Sequence, residues 1–372
     1  MLQDYEEFLA AGSAARTRQK STAEDNLFIM YTSGTTGNPK GVVHTHHTVG
    51  LLGNAHTQLH DSHFSDRYLL MLPMFHVGAR RAADSSTYNS TTLVMLKHFD
   101  PARAWELIQE ERITTTLAVP AMLSFMLKVP GYEQFDCSSL RYVSSGAAPV
   151  PVSLINTYMD MGIQIYQIYG MTETCGPACM IGPDDAVNKI GSTGKSFFHT
   201  QVRVVDENGE EQPPEVPGEI LVRGPHIMKE YWKRPDATAE AIIDGWLHTG
   251  DVATWDEEGF VTIRDRKKDM IISGGENVYP AEIENVLLDH PDVSDAAVIG
   301  QPSDKWGESP VAVIVPSSDS LTPQEVLSHC NGKLARFKLP KVVEFVDVIP
   351  RNPSGKILKR LLREQFPGPA PE

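Results

Sequence analysis

The sequence predicts an α/β protein in three parts: a large unit of α/β layers, a small antiparallel β subdomain, and a compact α+β module at the C-terminus. Three observations carry that prediction. Through the first half, short apolar runs alternate with helical patterns, which is how a largely parallel sheet covered by helices reads in sequence. After Gly191 the texture turns to short alternating strands divided by turn residues. A dense charged joint, Asp265-Arg266-Lys267-Lys268-Asp269, then precedes a further set of strands and helices. The expected boundaries are 1–264 for the large unit, with 1–190 as α/β layers and 191–264 as the β subdomain, 265–268 for a hinge, and 269–372 for the C-terminal module.

The apolar run Leu27-Phe28-Ile29-Met30 is the first strand and reads as buried. Strands follow at 68–72, 92–96 and 114–119, with a helix over 102–111 between the last two, then strands around Tyr142-Val143 and over 163–168. In the subdomain, strands at 202–205 and 218–222 flank the turn residues Asp206 to Gly209. The module reads as strand 270–272, helix 280–288, strands 296–299 and 311–315, a helix from about 322, and a last helix over 357–363. The Pro-rich end, 367–372, has too little apolar content to pack and reads as disordered.

With 372 residues, 41% of them hydrophobic, the chain can bury more than one core. A formal net charge of −15 argues against a nucleic-acid partner, which demands a clustered basic surface. The acidic start, Met1 to Glu7, does not read as a secretory signal, and no apolar run approaches a membrane span. The expectation is a cytoplasmic protein with no integral membrane segment, leaving peripheral membrane contact and homo-oligomers open. Cys137, Cys175, Cys179 and Cys330 are too few and too irregular for a disulfide framework, and Cys175 and Cys179 read as core or pocket-wall thiols. His44, His46 and His47 look like a metal cluster but read as non-ligands at a helix start.

The first strand leads into Tyr31-Thr32-Ser33-Gly34-Thr35-Thr36-Gly37-Asn38-Pro39-Lys40-Gly41. Glycines let backbone N–H groups turn inward, the hydroxyls of Thr32, Ser33, Thr35 and Thr36 add donors, and Lys40 supplies a cation for phosphate oxygens. This is not a Walker loop, because Lys40 follows Gly37-Asn38-Pro39 and precedes Gly41.

The run resembles the phosphate-binding signature of the adenylate-forming enzymes: acyl-CoA synthetases, luciferases and the adenylation domains of peptide synthetases. Six further segments resemble that family's motifs, in the family's order, from about Asp25 to the C-terminus. The resemblance implies the adenylate-forming-enzyme fold, here with an N-terminally shortened large domain and a small mobile C-terminal domain. It implies ATP or AMP, Mg2+ and coenzyme A as cofactors, and a carboxylic acid as substrate. By the same resemblance, Thr32, Ser33, Gly34, Thr35, Thr36, Gly37 and Lys40 bind phosphates. Gly146, Ala147 and Ala148, in Ser144 to Pro149, receive adenine, and Tyr169 packs on it with Gly170 and Met171 beside it. Thr172 contacts the α-phosphate, while Glu173, with Thr36, holds Mg2+, since a hard cation wants a carboxylate beside phosphate oxygens.

Further along, Asp251 accepts from the ribose hydroxyls and Arg266 contacts the same ribose. Lys356, in Pro350-Arg351-Asn352-Pro353-Ser354-Gly355-Lys356, is implied as the catalytic cation of adenylate formation. His76, in Pro73-Met74-Phe75-His76-Val77-Gly78, gates carboxylate entry. Gly274 and Gly275 line a tunnel for pantetheine and Trp306 forms another wall of it, which favours a CoA ligase over the other branches. Lys356 and Gly274-Gly275 share one small module yet serve different steps, so Lys268 is the expected hinge of a rotation between them. Residues 79–90 are polar where the family carries an apolar helix along the acyl tunnel. The implied activity is that of an acyl-CoA ligase for medium- or long-chain fatty acids. The alternatives are an aryl-CoA ligase of the benzoate or cinnamate type and, from another class, a catalytically impaired nucleotide- or partner-binding remnant.

Overall fold

A computed structural model describes residues 4–13, 15, 20–32, 39–51, 62–148, 150–182, 184–352 and 355–368. Its largest sheet has seven strands in the spatial order Thr92–Met95, Arg67–Leu70, Thr115–Leu117, Tyr142–Ser145, Gln164–Met171, Gly176–Met180, Lys195–Ser196. The first five are parallel, Gly176–Met180 runs antiparallel to them, and Lys195–Ser196 is antiparallel to Gly176–Met180 in turn. Helices cross between the parallel strands. Pro101–Glu110 shows why such a segment is helical: Asp100 accepts from the N–H of Arg103, Pro101 opens the first turn, and Ala104, Trp105, Leu107 and Ile108 form one buried stripe. Trp105 and Tyr158 fill the core between helices and sheet, and their polar tips are satisfied by the carbonyls of Met126 and Leu123.

The β subdomain is an antiparallel sheet running Gln201–Val205, Gly218–Arg223, Trp246–Trp255, Ile242–Ile243, with Val261–Arg266 also paired to Trp246–Trp255. Asp265 and Arg266 end its last strand, so two residues of the expected 265–268 hinge belong to the sheet and the turn proper starts at Lys267.

In the C-terminal module, Val293–Ser303 and Gly307–Pro316 form a long antiparallel pair. Ala296, Val298, Ala312 and Ile314 face the helices Pro280–Leu288 and Pro323–Cys330, while Ala297, Ile299, Val311 and Val313 face Leu362 of the helix Lys359–Gln365. Both sheet faces are covered, which is why these strands read as unbroken apolar runs. The second helix starts at a reciprocal cap between Thr322 and Glu325. Among the described residues no helix is long and apolar enough to cross a membrane.

Two local expectations are corrected. The strand Asn26–Thr32 is not buried: Ile29 is 38% and Tyr31 63% exposed, and Met30 is its one buried residue. It is the edge of a three-stranded ribbon with Lys40–Thr45 and Glu230–Tyr231, so Ile29 and Tyr31 lie open, while Leu27 and Phe28 pack against a cluster of Val49, Cys175, Met180 and Phe197. The strand expected to stop at 168 runs on to Met171, because Tyr169 to Met171 pair with Gly176 to Cys179. Only Thr172–Thr174 remain as a turn.

Candidate active site

The carboxyl ends of the parallel strands open into a cleft of about 600 Å³, where the β subdomain and the C-terminal module close against the large sheet. Ala147 and Ala148 enter it from the loop after Tyr142–Ser145, and Tyr169 and Gly170 from the end of the next strand. A Cβ on Gly146 would lie 2.5 Å from the carbonyl oxygen of Ile168, so glycine alone lets this loop rest on that strand.

The antiparallel register of Trp246–Trp255 with Val261–Arg266 places Asp251 opposite Arg266. The Arg266 Nε lies 3.1 Å from one carboxylate oxygen of buried Asp251, and the Tyr169 hydroxyl donates to the other at 2.8 Å. Burial, and then the Asp251 carboxylate, raise the Tyr169 phenol well above its ordinary value, so Tyr169 stays a donor.

Lys356 reaches the same cleft from a tight loop of the C-terminal module. Arg351 anchors the loop, with one guanidinium nitrogen 2.8 Å from both carboxylate oxygens of Asp295 and the other donating to the Gly355 carbonyl at 2.7 Å. The Asn352 side chain accepts from the Lys356 N–H at 2.9 Å. Burial, followed by repulsion from Arg266, brings the Lys356 ammonium down to about 7; Asp251 and Asp269 pull the other way, and Lys268 adds to the repulsion. Cations thus crowd one end of the cleft, an arrangement that an anionic ligand relieves.

Glu173 is buried on the turn Thr172–Thr174 and accepts from the Tyr231 hydroxyl at 2.8 Å. Lys40 lies with its Nζ 4.9 Å from the centre of the Tyr231 ring, which brings the end of the phosphate run to this carboxylate. The Thr32 hydroxyl donates to the Lys40 carbonyl at 3.5 Å across the hairpin. Ser33, Gly34, Thr35, Thr36 and Gly37 lie outside the described residues. Among the described residues no group of three His, Cys, Asp or Glu converges as a metal cage, and His44 is instead a buried strand residue bonded to the Thr172 carbonyl. A single carboxylate among hydroxyls suits a hard cation that keeps substrate phosphates as its remaining ligands.

His76 precedes the helix Val77–Asn89. Burial holds its imidazole below the usual value, and its Nε2 has no partner among the described residues. Gly274 and Gly275, with φ of 62° and 84°, form the turn between Ile271–Ser273 and Glu276–Val278. The Gly274 N–H donates to the Trp306 carbonyl at 2.8 Å, and a Cβ there would lie 2.8 Å from the Trp306 ring. The two features expected to share a role therefore meet, but neither lines the cleft that holds Lys356. Lys268 sits in the turn whose Asp269 and Met270 N–H groups both return to the Arg266 carbonyl. Sequence reasoning missed Tyr231, which reaches Glu173 from 58 residues away, and the anchor from Arg351 to Asp295, which only the folded module brings together.

The family model for the AMP-binding enzymes matches residues 2–232, and that for the AMP-binding enzyme C-terminal domain matches residues 282–356. The chain is 45% identical to a long-chain-fatty-acid–CoA ligase of Mycobacterium tuberculosis, over 98% of this chain and 73% of the relative. It is 41% identical to an indoleacetate–CoA ligase of Aromatoleum aromaticum, over 97% of this chain and 71% of the relative. The solved structure of the o-succinylbenzoate coenzyme A synthetase of Bacillus subtilis in complex with ATP and magnesium superposes with a TM-score of 0.86 at 34% identity, covering 96% of this chain and 74% of that one. On the family models and on this identity across nearly its whole length, the chain belongs to the AMP-binding, adenylate-forming enzymes.

Proposed function

We propose that this protein is an AMP-forming acyl-CoA ligase. A carboxylate oxygen of the acid attacks the α-phosphorus of ATP, the bond to the bridging oxygen breaks, and pyrophosphate leaves. The coenzyme A thiol, losing its proton, then attacks the acyl carbonyl, and AMP leaves. The observation that carries this reading is the convergence of Lys356, Arg266 and Asp251 on one cleft beside Tyr169.

In that reading Asp251 accepts from the ribose hydroxyls, with Tyr169 and Arg266 fixing its carboxylate. Adenine lies between Tyr169 and the Gly146 to Ala148 loop, whose small side chains admit a flat ring. Lys356 neutralises charge that grows between the incoming carboxylate and the α-phosphate. Thr172 holds an α-phosphate oxygen, Lys40 and the residues from Thr32 to Gly37 hold the outer phosphates, and His76 stands at the entry of the acid. Glu173 and Thr36 would hold Mg2+, which supplies positive charge to the departing pyrophosphate. Gly274, Gly275 and Trp306 serve the thiol step, which requires the C-terminal module to turn about Lys268. A cytoplasmic setting, where ATP and coenzyme A are at hand, goes with this reading.

The proposed acid is a medium- or long-chain fatty acid. A second reading, an aryl acid, draws support from the 41% identity to an indoleacetate–CoA ligase. A panel of alkanoic, benzoic and cinnamic acids, assayed for pyrophosphate release with and without coenzyme A, tests both. Release that depends on one class of acid, with thioester formed only when the thiol is present, is the expected result. ATP binding with no turnover of any acid would instead make the chain a nucleotide-binding remnant.

A further inference from the structure

The turn that carries Glu173 is held from outside at three consecutive carbonyls. The carbonyl of Thr172 accepts from His44 Nε2 at 2.7 Å, that of Glu173 from the Met228 N–H at 2.7 Å, and that of Thr174 from His226 Nδ1 at 2.9 Å. The two histidines come from separate elements, the ribbon strand Lys40–Thr45 and the segment after Gly218–Arg223. Those elements are themselves locked together, because Glu230 and Tyr231 pair with Val43 and Val42, and Tyr231 holds the Glu173 carboxylate. The turn has no slack in which to re-aim its carboxylate.

Chemistry fixes the state of both rings. A carbonyl only accepts, so the nitrogen facing it must carry the hydrogen. His44 is therefore protonated on Nε2, with Nδ1 facing the Thr48 hydroxyl at 3.2 Å, whereas His226 is protonated on Nδ1, with Nε2 accepting from the Thr200 hydroxyl at 2.8 Å. Both are fully buried against aromatic rings, Phe28 beside His44 and Phe197 beside His226. Burial brings each to about 4, so both are neutral and each has one N–H to give.

We propose that His44 and His226 are positioning residues of opposite tautomer that fix the turn Thr172–Thr174, and so aim the Glu173 carboxylate at the cation accompanying ATP. The inference rests on the reading of Glu173 as a magnesium-binding residue. Outer contacts of this kind change metal affinity by about tenfold or more when lost.

The opposite tautomers give a test that a merely space-filling role would not pass. The amide nitrogen of Gln falls near the place of a histidine Nε2, and that of Asn near Nδ1. His44→Gln and His226→Asn should rescue function, while His44→Asn and His226→Gln should not. The readout is the Mg2+ concentration giving half-maximal acid-dependent pyrophosphate release, alongside the KM for the acid. The failing pair should need about tenfold more Mg2+ with the acid KM within about twofold, and the rescuing pair should stay within about threefold of the parent. Thermal melting of each variant identifies any that do not fold, and either histidine alone carries the comparison. Equal behaviour of Asn and Gln at a position, or acid and Mg2+ dependence shifting together, overturns the proposal. Glu173→Gln separates the two claims: if it leaves the Mg2+ dependence unchanged, the reading of Glu173 falls and the proposal with it; if it removes that dependence while the four histidine variants do not differ, the proposal alone falls.

Discussion

Lys356 is a cation held where a cation is costly, between burial and Arg266, and that cost is what an anionic reaction centre would offset. Lys356→Ala should lower acid-dependent pyrophosphate release by at least about a hundredfold while leaving conversion of supplied acyl adenylate and coenzyme A within a few-fold, the scale of one lost electrostatic donor. Equal loss in both half-reactions would contradict the assignment. The pH dependence follows from the same side chain. Its value near 7 lies below the usual 10.5, so between these limits the unfolded chain binds more protons and stability rises with pH, whereas the charged form needed for catalysis is lost as pH rises through about 7. The kcat/KM for ATP in pyrophosphate release should therefore fall above about pH 7, and Lys356→Arg should move that fall to higher pH. At this scale, four residues singled out in the sequence for one proposed site, Tyr169, Asp251, Arg266 and Lys356, line a single cleft. It was unreadable for Tyr231, Met228 and His226, whose common role exists only once segment 226–231 pairs with the ribbon strand.

Among the elements, the hairpin turn at Gly274 and Gly275 separates two kinds of constraint. Gly274 is pressed against Trp306, but a Cβ on Gly275 would meet nothing within 4 Å. Leucine at 275 therefore projects into open space in this pose, at a cost of about 1–2 kcal/mol for its left-handed backbone. Gly275→Leu should spare adenylate formation and reduce thioester formation several-fold, measured as acyl adenylate and acyl-CoA by mass spectrometry. Unchanged thioester yield would leave the two glycines as a turn and nothing more. Elements whose signals are local were legible to within a few residues: Pro101–Glu110, with its aspartate cap and first-turn proline, and Pro323–Cys330, with its Thr322 to Glu325 box. Those set by distant partners were not. Asn26–Thr32 has the composition of a buried strand but lies at a ribbon edge, and Gln164–Met171 gains its last residues from pairing with Gly176–Met180.

At the scale of the molecule, one module carries Lys356 into the cleft while holding Gly274 and Trp306 outside it. Across the joint between subdomain and module, the Asp265 carboxylate accepts from the Ala281 N–H at 2.9 Å, while Arg363 to Asp269 and Lys359 to Glu284, both at 2.9 Å, tie the module's own elements together beside it. The charged run that interrupts the apolar pattern lies between the strands Val261–Arg266 and Ile271–Ser273; the pose was not legible, because it depends on how distinct cores meet. If one cleft serves two half-reactions, this pose is that of adenylate formation, and the module must turn about Lys268 for the second. The N–H of Lys268 makes no bond among the described residues, so proline there fixes a backbone angle without removing a hydrogen bond seen in this pose. The most direct measurement compares the two half-reactions in Lys268→Pro and Lys268→Ala, with acid-dependent pyrophosphate release on one side and conversion of supplied acyl adenylate with coenzyme A on the other. The account predicts that proline leaves pyrophosphate release measurable while thioester formation falls at least about tenfold, and that alanine costs little in either. Proline and alanine behaving alike, or a folded proline variant losing both half-reactions together, would contradict it.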